Sequence, residues 1–168
     1  MNTENPVCPS IYRMCKRIFK IYVFTFIGIC LWIGLIFSAP YLQNQSSPLG
    51  RWIYPIFAPT CHQAPSRCFH LWGHPLAVCA RCLGIYFGFL GGTLLYPLIR
   101  GFEGLSMPRL KTFALVTIPI AIDTLGNILT LWSSPAGLRF CLGVLWGSIL
   151  PFFFITGIAD AFQKSKKQ

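Results

Sequence analysis

Between Cys61 and Cys82 the chain reads CHQAPSRCFHLWGHPLAVCARC. These 22 residues contain all three histidines of the protein and four of its eight cysteines. Thiols and imidazoles gathered in one segment suit metal or redox chemistry. Cys79-Ala-Arg-Cys82 is a C-x-x-C. Two sulfurs at that spacing can grip one zinc ion, as in half of a zinc ribbon. The same spacing suits a catalytic dithiol, whose thiolate a helix N-terminus and Arg81 would favour. Cys61 and His62 would complete a metal set of three sulfurs and one imidazole. Zinc fits those donors best, and iron or copper is also admitted. Adjacent ligands crowd one ion, so His62 has a second reading, in which it orients a ligand or the Gln63 amide. His70 and His74 would face one ion only from a helix, which Gly73 and Pro75 disfavour, and both are read as structural. Against every chemical reading stands a plain one, since cysteine is also a small apolar packing residue.

The rest of the chain indicates what must hold this segment. Hydrophobic residues make up 54% and charged residues 11%, with mean hydropathy +0.59. Soluble domains carry roughly 25% charged residues, so these values describe a membrane protein. The expected fold is all-α, a polytopic bundle of about four transmembrane helices with a structured Cys/His-rich outer loop. One membrane domain, 21–160, follows a cytoplasmic lead-in, 1–20, and precedes a basic tail, 161–168. Spans are expected at about 21–39, 80–99, 113–132 and 138–159, with Pro40 closing the first. Pro59, Pro65, Gly73 and Pro75 exclude a continuous helix across the first part of the clustered stretch. Regular structure resumes near Val78, and Cys79 and Cys82 fall in the first turn of the second span. Gly84, Gly88 and Gly92 share the opposite face of that helix, as Gly143 and Gly147 share a face of the last, which permits close packing in lipid.

The net charge of +10 does not indicate nucleic acid, because the basic residues flank apolar runs. Ten of them fall in the lead-in, the 100–111 loop and the tail. Four fall on the other side: Arg51, Arg67, Arg81 and Arg139. This places a multi-pass protein in the plasma (inner) membrane with both termini cytoplasmic and the Cys/His loop outside. Asp123 is the only acid within a span, and an intramembrane carboxylate normally has a partner or a task. An ion pair with Arg139 is the simplest reading, and Arg81 could serve instead. Proton handling or ligand binding is the functional alternative. The loop would then be the lid of a polar cavity.

The motif Cys61-His62-Gln63-x-Pro65-x-Arg67 is followed by Gly73-x-Pro75-Leu76-Ala77-Val78-Cys79-Ala80-Arg81-Cys82-x-Gly84-Ile85-Tyr86-x-Gly88. Together they resemble the signature of domain of unknown function 2085, a family of predicted bacterial and archaeal membrane proteins. The resemblance continues through Pro119-x-x-x-Asp123 and Arg139-x-x-x-Gly143-x-x-x-Gly147, covering about Pro55 to Gly147. It implies a shared set of Cys61, His62, Gln63, Arg67, Cys79, Arg81, Cys82, Tyr86, Asp123 and Arg139. It leaves out Cys68, where the family pattern has serine, and puts Asn127 in doubt, where glutamine is usual.

Two functions compete on these residues. One is a metal-binding membrane protein with Cys61, His62, Cys79 and Cys82 around one ion, serving transport, sensing or structure. The other is a thiol-disulfide oxidoreductase coupled to quinone, similar in plan to four-helix disulfide-forming membrane proteins. That plan needs a second cysteine pair, and the Ser133–Leu138 turn has none, so metal is preferred and enzymatic activity is not expected. A scaffold in a membrane complex, or an assembly of the chain with itself, would use the same residues.

Overall fold

The computed structural model describes residues 8–100 and 110–164, with side chains over 15–100 and 110–161. The order is α1 (Cys8–Asn44), α2 (Pro48–Phe57), one 3-10 turn (Pro65–Arg67), β1 (Cys68–Leu71), β2 (His74–Cys79), α3 (Ala80–Arg100), α4 (Leu110–Ile128), α5 (Ala136–Gly147) and α6 (Leu150–Lys164). The fold is all-α and polytopic, with one small hairpin added. The expected lead-in is already helical from Cys8, while residues 1–7, most of the 100–111 loop and residues 165–168 lie outside the described residues.

Among the described residues, three helical stretches are long and apolar enough to cross a membrane: Cys15–Asn44, Ala80–Arg100 and Ala136–Ala161. Four were expected. The helix expected at 113–132 exists as α4, 19 residues long, but Lys111, Asp123 and Asn127 dilute its apolar run. It still carries the chain back, because Asp123 near its C-terminal end pairs with Arg81 in the first turn of α3. Two further boundaries differ. Helix α1 runs through Pro40 for another turn instead of stopping before it. The last stretch breaks at Ser148 and Ile149, just before Pro151, which cannot donate a backbone hydrogen bond to the preceding turn.

The tightest packing is α3 against α5. A Cβ on Gly84, Gly88 or Gly92 would overlap the carbonyl oxygens of Phe140, Val144 and Ser148, and one on Gly143 or Gly147 would overlap those of Arg81 and Ile85. Each helix presents its small residues to the other's backbone. In lipid, where apolar side chains gain nothing by leaving their solvent, such close contact is what holds helices together. Lipid-facing positions are large and apolar, as at Phe24, Leu31 and Leu98.

Near the Cys/His end, α2 buries Gly50, Ile53 and Phe57 and leaves Trp52 exposed, so it is an amphipathic helix. Its inner face meets Ile36 and Ala39 of α1, Leu76, Ala77 and Val78 of β2, and Leu83 of α3 in one core. Strand β2 is buried at three successive residues, so no alternation marks it in the sequence. The hairpin turns through Trp72 and Gly73, both at positive φ (51° and 78°), as a two-residue loop between twisted strands requires.

Substituting Gly88→Leu should separate α3 from α5 and lower stability by about 1–3 kcal/mol, the usual cost of overpacking. Gly91→Ala, with nothing within 4 Å of the added carbon, should leave the melting temperature in detergent unchanged or slightly raised.

Candidate metal centre

Three of the expected sulfurs converge. The Sγ atoms of Cys61, Cys79 and Cys82 all lie within 4.8 Å of one another. Cys61 is placed by α2, whose last turn continues so that the Cys61 N–H donates to the Phe57 carbonyl at 3.0 Å. Cys79 ends β2 and stands immediately before the first residue of α3, and Cys82 is the third residue of that helix. The expected helical placement of Cys79 is therefore one residue too generous. Cys79 is the residue immediately before the helix, where the backbone N–H groups of Arg81 and Cys82 help to favour its thiolate.

Cys61 is served in the same way. Its sulfur accepts the Cys79 backbone N–H at 3.2 Å. Backbone donors aimed at sulfur stabilise thiolate over thiol. The thiols also share protons. Cys79 is held well below the ordinary thiol range, first by the Cys61 thiol and then by that of Cys82, while the same bond to Cys79 pushes Cys61 up. Of these two sulfurs Cys79 thus ionises first.

The remaining residues of the motif divide. Gln63 stands at φ 50° and its amide donates to the carbonyls of Tyr54 at 2.6 Å and Ala77 at 2.8 Å, tying α2 to β2. Tyr54 adds a hydrogen bond to the Pro75 carbonyl at 2.7 Å. The Gln63 bonds clamp the loop that carries Cys61. His62 and His70 are exposed and His74 is half-buried, and all three lie outside the sulfur group. Tyr86 lies a turn beyond Cys82 with its ring edge-on to Trp32, 6.2 Å between centroids. Cys68, directly across the hairpin from Cys79, turns its thiol to the Ala64 carbonyl at 3.2 Å. Burial, then the charges of Cys79 and Cys61, push it up to about 12.

Beside the sulfurs is a buried polar network instead of a cavity. Asp123 accepts from Arg81 and from the Ser134 hydroxyl, and from the Asn127 amide at 3.2 Å. Asn127 Oδ1 accepts the Ser134 backbone N–H at 3.2 Å and Arg139 Nη2 at 2.6 Å. The expected Asp123–Arg139 pair is thus replaced by Arg81–Asp123, because Asn127, one helical turn beyond Asp123 on the same face, engages Arg139 first. Ser134 escaped sequence reasoning entirely. Its one signal was its place as a polar residue between α4 and α5. Arg67 is exposed on the 3-10 turn and takes no part in this network.

Comparison with known proteins places this arrangement. Residues 61–153, more than half of the chain, match the family described as predicted membrane protein, DUF2085. The chain belongs to that family. The DUF2085 match opens at Cys61 and takes in all three clustered sulfurs and the whole Asp123 network. The uncharacterised protein MJ1492 of Methanocaldococcus jannaschii is 34% identical over 146 residues, spanning 80% of this chain and 94% of that protein. No solved structure matches.

Asp123→Asn should leave the Arg81 charge without its partner and cost about 3–5 kcal/mol, whereas Arg81→Met combined with Asp123→Leu should recover most of the loss, both read by thermal unfolding in detergent. In metal-free protein at pH 8, iodoacetamide should modify Cys79 first and spare Cys68 until the protein is denatured, as read by peptide mass mapping.

Proposed function

We propose that Cys61, Cys79 and Cys82 hold one thiophilic divalent cation, zinc in the first instance, at the outer mouth of the bundle. The convergence of three sulfurs from two separate segments carries this reading. An ion at ~2.3 Å from each sulfur would set them ~3.8 Å apart, inside the observed spread. The Cys79 backbone N–H directed at the Cys61 sulfur supports it further, since such a donor stabilises the thiolate, the form that binds metal. The fourth position falls to water or to His62 after rotation of its exposed side chain. Cys79 and Cys82 are half-buried, which suits an exchangeable ion in sensing or transport better than a sealed structural knot. The surplus of basic residues at the opposite end orients both termini to the cytoplasm and this site outward.

A second reading has one observation in its favour. An apolar groove of about 630 Å³ runs between α1, α3 and α6, lined among others by Trp32, Tyr86, Phe89 and Phe154. A quinone seated there could take two electrons and two protons from Cys79 and Cys82, becoming quinol as the two sulfurs join in a disulfide.

Elemental analysis of protein purified in detergent, beside mass mapping of alkylated thiols, separates the two. About one zinc per chain, lost in Cys79→Ser, is expected. A metal-free protein with a Cys79–Cys82 disulfide that quinol reduces would reverse the choice.

A further inference from the structure

A fourth cysteine belongs to the same hairpin. Cys68 is 7% exposed and lies outside the group formed by Cys61, Cys79 and Cys82, with its thiol turned to the Ala64 carbonyl at 3.2 Å. That bond is weak, since a thiol is a poor donor. No ligand role falls to Cys68, yet the antiparallel register of β1 and β2 sets it directly opposite Cys79.

The kind of pairing matters. An antiparallel ladder alternates between residue pairs that exchange backbone hydrogen bonds and pairs that do not, and the second kind is closer, with Cα atoms about 4.5 Å apart. The Cys68 N–H is donated to the Pro65 carbonyl and the Cys79 N–H to the Cys61 sulfur, so neither is spent on the other residue. Cys68 and Cys79 are therefore a close pair, with side chains on one face of the hairpin. Disulfides span Cα separations of about 4.4–6.8 Å, and this pair lies within that range. Rotation about the Cα–Cβ bond of Cys68, at the cost of its bond to Ala64, brings its sulfur across. Burial withholds Cys68 from outside reagents, so a sulfur of its own hairpin is the partner within its reach.

We propose that Cys68 and Cys79 form a disulfide when the site meets a peroxide, with Cys68 as the resolving thiol. The half-buried Cys79 thiolate attacks one oxygen of hydrogen peroxide. The O–O bond breaks, hydroxide leaves, and Cys79 becomes a sulfenic acid. The hydroxide takes up the proton that Cys79 gave up and becomes water. The Cys68 sulfur then attacks the Cys79 sulfur, and its own proton leaves with the displaced hydroxide as a second water. Two thiols and one peroxide thus give one disulfide and two waters. With zinc bound, Cys61 and Cys82 stay on the ion while oxidised Cys79 leaves it, so Cys68 is the neighbouring thiol free to respond. The ion keeps two of its three sulfurs and is released. Its release rests on the metal reading, whereas the disulfide rests on the hairpin register.

Trypsin reads the pairing directly. Cleavage after Arg67 and Arg81 places Cys68 and Cys79 together in peptide 68–81, with Cys61 in 52–67 and Cys82 in 82–100. Full-length, zinc-loaded protein in neutral detergent is treated with hydrogen peroxide, denatured, alkylated and digested. Peptide 68–81 should appear closed on itself, two hydrogens lighter and unalkylated, while a chromogenic chelator takes up the released zinc. Dithiothreitol should then restore zinc binding. Cys68→Ser should carry as much zinc before treatment, yet its Cys79 should proceed to the sulfinic acid, which a thiol does not reverse, so that zinc binding stays lost. Cys79 joined to peptide 82–100 or 52–67, or a Cys68 still open to alkylation, would overturn the proposal, as would equal recovery of zinc binding in Cys68→Ser. A chain that carries no zinc yet gives the closed peptide would overturn the metal reading and leave this pair standing.

Discussion

Everything at the Cys/His end depends on how closely α3 and α5 approach. Glycines on each helix lie against carbonyl oxygens of the other, so the two axes are fixed in distance and register without side chains between them. Arg81 and Cys82 in the first turn of α3 are thereby set beside Arg139 in the first turn of α5. Helix α4 then enters alongside α5 with Asp123 and Asn127 turned toward both arginines. A larger residue at Gly84 or Gly143 would shift this whole set together, because their carbonyl contacts lie at the level of the arginines themselves.

The sulfur group depends on a second constraint, the junction between β2 and α3. A strand that passes directly into a helix leaves free N–H groups at the helix start. Cys79 lies at that junction. Cys61 comes from a different segment, held by the bonds of Gln63 to α2 and β2. The Cys79 N–H, donated to the Cys61 sulfur, adds a direct link between the two sulfur-bearing segments. The sulfur group and the Asp123 network meet in the first turn of α3, which carries both Cys82 and Arg81, the partner of Asp123.

The helices were legible because membrane spans are long apolar runs, and the facing glycines were legible because their spacing follows the helical period. The hairpin was not. Its turn is Trp-Gly instead of the usual Asn-Gly, and β2 is buried on both faces, so neither turn chemistry nor alternation announced it. Cys61, Cys79 and Cys82 were readable as a group, but His62, adjacent to Cys61, faces outward, as the crowding of neighbouring ligands foreshadowed. The partner of Asp123 could not be read from sequence. Arg81 and Arg139 both reach the right level, and the choice rests on where Asn127 and Ser134 fall once α4 and α5 are packed.

X-ray absorption at the zinc edge of the loaded, detergent-purified protein tests the central claim most directly. Three sulfur neighbours at about 2.3 Å and one nitrogen or oxygen at about 2.0–2.1 Å are predicted. A shell of nitrogen and oxygen alone, or protein that takes up no zinc while all three thiols are reduced, would contradict it.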